Sequence, residues 1–366
     1  MTKKIAALLA CCVVAVSTAD AAAPGFKQGK APLKSAGPIA FGPDGVLFIS
    51  DPKAAAIVAV ETQDTKADPA KPSIEVAKVN EKIAAALGTA ADQIRIADMA
   101  VNPANGKIYF SVSRGLGPDA QPVIVRVDST GAVSDLSLDD VSHAVAELPN
   151  AADDKLVPSR RGKVNNREQS ITDLAYLEGQ LIVAGLSNEE FASNLRTIRF
   201  PFNEVSGGSS IEIYHGNHGA LETRSPVRTF VPVSFDGEPQ LIAAYTCTPL
   251  VRIPVAELNA GKKVRGTTVA ELGNRNRPLD IIAYKKDGKN FLLMANDARG
   301  VMKISTEELT SRDGIAEKVD EPTAGQPFET LKEWTGVTQL DQLNDAQAVV
   351  LIEKDGVADL KTVPLP

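Results

Sequence analysis

Cysteine and histidine are scarce in this chain: 366 residues hold 3 of each, which leaves little material for redox or haem chemistry. No Cys-x-x-Cys-His segment offers covalent haem attachment, no glycine-rich strand-to-helix turn cradles a nucleotide, and no Gly-x-Ser-x-Gly elbow presents an acyl-transfer serine. Beyond residues 5–16 there is no long apolar run, and nothing approaches the ~20 residues needed to span a bilayer, so no transmembrane segment is expected. Positive charge is also short. Lys and Arg number 39 against 46 Asp and Glu, a net charge of −7. Such a surface lacks the basic stripe that displaces phosphate counterions, which argues against nucleic acid as a partner. The densest positive stretch, Arg160, Arg161, Lys163 and Arg167, reads as a solvated loop.

The N-terminus has Lys3 and Lys4, an apolar run over 5–16, and the small-residue pair Ala19-x-Ala21. This is the layout of a secretory signal peptide over residues 1–21, and it predicts export to the periplasm or the exterior. Leu8-Leu9-Ala10-Cys11 also fits a lipoprotein cleavage box, but cleavage there would leave only a handful of apolar residues, so plain secretion is the favoured reading. Cleavage after Ala21 leaves Cys247 as the only cysteine, and no internal disulfide can then form.

What the chain has in quantity is turns, with 27 glycines and 23 prolines, and a repeat. An apolar segment, a turn, a second apolar segment, a loop and a third segment recur at 39–60, 96–127, 171–198, 230–255 and 279–304, with a weaker copy at 340–363. Each copy is a run of three antiparallel strands. One such sheet cannot bury both its faces alone, so the copies must stack, which predicts an all-β six-bladed β-propeller with short helical insertions, a single domain over 22–366. Helical spacing over 80–94 predicts one or two short helices. Residues 139–166 read as a polar loop region and 310–330 as a connection, while Ile211-Glu212-Ile213-Tyr214 alternates as an outer strand. Residues 25–36 are expected to latch the ring by joining the last blade, removing an open sheet edge.

Four inner strands open on the same phrase, an apolar residue, a variable one, then aspartate: Asp98, Asp173, Asp280 and Asp341. Blades one and four lack the acid. Inner strands surround the axis, so these carboxylates should ring one end of the channel, where they cannot all stay ionised and unpaired. Two solutions present themselves: hydrogen bonds from backbone N–H groups that tie blades together, or a bound cation such as calcium. Loops on the same face carry Asn188, Glu189, Arg228, Asn276, Arg277, Asp297 and Arg299, a polar mouth whose guanidinium groups suit a carboxylate or phosphate. His215 and His218, three residues apart in a loop leading to the blade whose mouth loop carries Cys247, form with that cysteine a candidate transition-metal site.

The strand-turn-strand phrase Phe41-Gly42-Pro43-Asp44-Gly45-Val46-Leu47-Phe48-Ile49-Ser50-Asp51 resembles blades of the NHL-repeat and SMP-30/gluconolactonase-like six-bladed propellers, over nearly the whole mature chain. The phrases at 187–202, 245–250 and 273–280 look like those of secreted bacterial propeller proteins, a likeness that implies no chemistry. In the lactonase branch the resemblance implies a metal-binding glutamate just before a Gly-Pro pair. Here the residue before Gly37-Pro38 is Ala36. The expected function is therefore a binding or scaffold module recognising a small anionic molecule, a peptide or a protein. The alternative is a metal-dependent lactonase or esterase built on the axial carboxylates.

Overall fold

The computed structural model describes residues 25–159, 162–247 and 249–366. The expected signal peptide, Cys11, Arg160 and Arg161 lie outside them. Six sheets, antiparallel except where Lys263–Arg265 pairs parallel with Ser209–His215, surround one axis as a β-propeller. Numbered by chain order, the blades have inner strands Ile39–Phe41, Ile94–Val101, Asp173–Leu177, Thr229–Phe235, Pro278–Lys286 and Val337–Asn344. The second strand of blade 1, Val46–Asp51, is buried along its whole length rather than on alternate residues, because neighbouring blades cover both its faces.

Two-residue turns set the register of the inner hairpins. Glu178-Gly179, Asp236-Gly237 and Asp287-Gly288 all have positive φ, the requirement of the type I′ turn whose twist matches that of a strand pair. They link Leu177 to Gln180, Phe235 to Glu238 and Lys286 to Lys289, and thereby fix which inner-strand residues face the axis.

The order of blades around the ring is not their order in the chain. One face of the second strand of blade 1, Leu47 and Ile49, packs on Ala100 and Tyr109 of blade 2. Its other face, Phe48, packs with Leu174 and Leu181 of blade 3. Val112 and Val125 of blade 2 meet Val349 and Leu351 of blade 6. Further cores join blades 3 and 4, 4 and 5, and 5 and 6. The ring therefore runs 1–3–4–5–6–2, and the chain reverses its sense once, after blade 2.

That reversal explains two departures from expectation. Residues 139–166 are not all loop: Val141–Glu147 returns from blade 2 to pair with Ala56–Glu61 of blade 1, with Val141, Ser142, His143 and Ala144 buried. The segment 25–36 does not join the last blade either, since Lys27–Gly29 pairs outside Val141–Glu147 on blade 1. Closure of the ring falls to residues 74–86 instead. Glu75–Val76 adds an edge strand to Val357–Pro364 of blade 6, and helix Val79–Ala86 follows. Buried Asn80 donates to Gly356 O at 2.9 Å and accepts the Ala358 N–H at 3.0 Å. The helix, starting one residue early, and the 3-10 turn Ala91–Gln93 occupy the stretch expected to be helical.

Candidate functional site

The axis is built from the inner strands. Just before the acid, blades 2 and 5 each carry a bulge, at Ile96/Asp98 and Pro278/Asp280, which re-aims the following side chain. Asp98 Oδ2 accepts the Ile39 N–H of blade 1 at 2.7 Å. Asp173 Oδ2 accepts the Phe230 N–H of blade 4 at 2.7 Å, and Asp280 Oδ2 the Leu340 N–H of blade 6 at 2.8 Å. Asp341 Oδ2 accepts the Val101 N–H of blade 2 at 2.7 Å. Each acid also accepts the N–H of the residue that follows it. Of the two solutions open from the sequence, this is the one in which carboxylates clasp adjacent blades, at four of the six junctions.

The four acids are not equivalent, because blade 6 has its bulge at Val337/Gln339, which puts Gln339 in the place that Asp98 and Asp280 occupy and Asp341 two residues further along. With its amide nitrogen turned to the axis, Gln339 donates to Asp98 Oδ1 at 2.7 Å and to Asp280 Oδ2 at 3.3 Å. Sequence reading missed this residue because its strand carries an aspartate that mimics the phrase.

Burial pushes all four carboxyls upward. Asp173 rises to about 7 and Asp341 to about 6. Asp98 and Asp280 rise well above the ordinary range, through burial first and then through the other axial charges. Beyond the acids, a cavity of 360 Å³ runs toward the C-terminal ends of the inner strands, past Ala175, Val231 and Ala283, away from the mouth loops.

The mouth residues divide into two groups. Asn188 and Glu189 lie beside the loop between blades 1 and 3, where Asn188 Nδ2 donates to Asp153 at 3.4 Å and Glu189 accepts from Asn150 at 3.3 Å. The others gather where blades 4 and 5 begin. Buried Asn276 donates to Asn296 Oδ1 at 2.9 Å and accepts the Ala298 N–H, while its carbonyl accepts the Cys247 N–H at 2.8 Å. Arg299 donates to Asn274 O at 3.0 Å, and Asp297 accepts the Arg277 N–H at 2.7 Å. These contacts shape the loops. The side chain of Arg228, half-buried ahead of Thr229, donates only to the Thr246 hydroxyl at 3.0 Å among the described residues. Burial, and then the charge of Arg277, lowers it to about 10. Among the described residues neither guanidinium has a carboxylate oxygen within 4.0 Å, the limit for an ion pair.

His215 and His218 do come together, with ring centroids 3.8 Å apart. Their third companion is not Cys247, as expected, but Glu222. Cys247 is held in the mouth by Asn276, whereas Glu222 returns on the strand Ala220–Glu222 of the histidines' own hairpin. Glu222 Oε1 lies 3.0 Å from His215 Nδ1 and 2.6 Å from His218 Nδ1. Burial opposes its ionisation, but the two imidazoles outweigh that and bring it down to about 2. The spacing His-x2-His-x3-Glu was visible in the sequence. Glu271, 3.6 Å from His215 Nε2 and arriving from blade 4, was not.

No family model matches the chain, and neither does any curated protein. Virginiamycin B lyase from Staphylococcus aureus aligns at 11% identity over 93% of this chain and 100% of that one, with a TM-score of 0.29. The soluble aldose sugar dehydrogenase from Escherichia coli aligns at 12% identity over 93% of this chain and 99% of that one, TM-score 0.33. A structural genomics protein of unknown function from Bacteroides thetaiotaomicron gives 12% identity, 93% and 72% coverage, and a TM-score of 0.34. Overlaps this loose carry no argument about chemistry, and the propeller architecture rests on the six sheets themselves.

Proposed function

We propose that this chain is an exported binding protein whose mouth holds a small anion, a carboxylate or phosphate, between Arg228 and Arg277, either as a free molecule or as an acidic group of a peptide or protein. The observation that carries the reading is Arg228 itself, half-buried at the mouth with a single side-chain hydrogen bond and, like Arg277, no carboxylate in reach among the described residues, while the charge of Arg277 acts on it. A like-charged pair is costly until an anion enters, and the guanidinium fork matches carboxylate and phosphate bidentately. The loop that carries Arg277 is held by Asn276, Asp297 and Arg299, and Arg228 by its own N–H on Ala244 O and by Thr246, so the donors are positioned before a ligand arrives.

The hydrolase alternative gains no support. Both oxygens of Asp173 and of Asp341 already accept backbone N–H groups, and Asp98 and Asp280 are bridged by Gln339 as well. The lactonase-type glutamate position is the buried Ala36.

Calorimetric titration of the full chain with inorganic phosphate, citrate and an acidic hexapeptide tests the reading. Binding of at least one of these probes that weakens tenfold or more in Arg228→Ala and in Arg277→Ala, with melting temperature unchanged, is the expected result. Equal binding by the native and Arg228→Ala proteins, or no binding of any probe, overturns it.

A further inference from the structure

The rim of blades 3 and 4 contains a side-chain group that its own hydrogen bonds do not satisfy, and we infer that His215, His218 and Glu222 bind a divalent transition-metal ion of the zinc type, with Glu271 orienting His215. The site stands apart from the arginine pair and does not depend on it.

The hairpin makes the group. Strand Ser209–His215 ends at the first histidine, the turn closes with the Gly219 N–H on His215 O at 2.9 Å, and Ala220–Glu222 returns with Glu222 opposite Ile213. Ile213 and His215 are two apart on one strand and share a face, so Glu222 is the diagonal neighbour of His215. His218, in the turn, lies over the first ring. One ligand atom from each residue falls within 4.8 Å of the other two. With Zn–N distances of roughly 2.0–2.1 Å, tetrahedral ligand atoms stand about 3.4 Å apart. The contacts of 3.0 Å and 2.6 Å to Glu222 need only a small widening. His218 is half-exposed.

Two orphaned atoms turn this cluster into a site. His215 Nε2 and Glu271 Oε2 are both buried without a hydrogen-bond partner, although they face each other at 3.6 Å. The side chains are 1% and 0% exposed. If His215 donates from Nδ1 to Glu222 as a neutral ring, its Nε2 lone pair points at a carboxylate lone pair, and both are left unsatisfied. A metal on Nδ1 reverses the tautomer. The proton then sits on Nε2 and is donated to Glu271, the carboxylate–histidine–metal relay that commonly fixes a ligating imidazole. Glu271 is itself anchored, accepting the Gly216 N–H through Oε1 at 2.6 Å.

Two imidazoles and one carboxylate select zinc and its neighbours, whereas calcium favours an all-oxygen shell. Three protein ligands leave a fourth position for water, on the side where His218 and Glu222 are partly exposed.

The test is cobalt and zinc titration of the chelator-treated full chain. Expected are one zinc per chain and the intense visible absorption of tetrahedral cobalt. His218→Ala and Glu222→Gln should each weaken zinc at least tenfold. His218→Ala should keep the native melting curve without metal, since its side chain is half-exposed, and this guards against the chance that His215→Ala fails to fold. Glu271→Gln should keep the tetrahedral cobalt spectrum while losing 10- to 100-fold in affinity, as a positioning residue does. Absence of stoichiometric zinc in the native chain, or equal affinity in native and His218→Ala proteins, overturns the inference and leaves a protonated histidine held between two glutamates.

Discussion

Replacing Asp173 tests the axial clasp most directly. Its carboxylate accepts the Leu174 N–H at 2.8 Å and the Phe230 N–H at 2.7 Å, and the second of these joins blade 3 to blade 4. Asp173→Ala leaves two buried donors without acceptors. At about 1–3 kcal/mol for each stranded group, the loss should be roughly 2–6 kcal/mol near pH 5. The pH matters because burial raises this carboxyl from 3.8 to about 7 in the fold. Between those values the folded chain holds a proton that the unfolded chain has released, so stability falls as pH rises through the window. Complete ionisation costs the fold up to about 4 kcal/mol. The deficit of Asp173→Ala should therefore shrink between pH 5 and pH 8, and Asp173→Asn, which keeps one acceptor and cannot ionise, should approach the native stability at pH 8. Urea unfolding of the three proteins at both pH values measures this. A deficit below about 0.5 kcal/mol at pH 5, the usual scale of an inconsequential surface change, would refute the clasp. A deficit that grows with pH would refute the raised carboxyl.

Three further outcomes follow from the same contacts. Asn80→Ala should cost about 1–3 kcal/mol by stranding the Ala358 N–H and the Gly356 carbonyl, with hydrogen exchange rising first in residues 74–86 and 357–364, because these groups close the ring. Uniform exchange across all blades would count against closure at that junction. At Gly185 an added Cβ would lie 2.0 Å from the Ser170 carbonyl oxygen at the entry to the inner strand of blade 3, so Gly185→Ala should destabilise by about 3 kcal/mol, measured by thermal melting. Removing residues 25–30 should lower the melting temperature modestly without opening the ring, because Lys27–Gly29 edges blade 1 rather than joining blade 6. Accelerated exchange in Val357–Pro364 after that truncation would restore the N-terminal segment as the latch.

The propeller was legible because blade structure is local. Alternating apolar segments and glycine turns such as Asp236-Gly237 and Asp287-Gly288 fix strand pairs within some 25 residues, and their number predicts a closed stack. The axial aspartates were legible for the same reason: strand order alone brings the start of every inner strand to one end of one channel. The closeness of His215 and His218 was readable from their spacing of three residues in one turn. Ring order was hidden from this reasoning. Whether blade 2 sits before or after blade 1 depends on which faces of Val46–Asp51 and Ile108–Arg114 match their neighbours, and no local pattern records that match. Tertiary packing alone turned part of an apparent polar loop into the strand Val141–Glu147, moved closure to Asn80, kept Cys247 away from the histidines and brought Glu271 to His215. Each of those pairings joins segments that only a particular stacking brings within the few ångströms over which a hydrogen bond or a metal ligand acts, whereas the strands and turns are set by the preferences of the backbone itself.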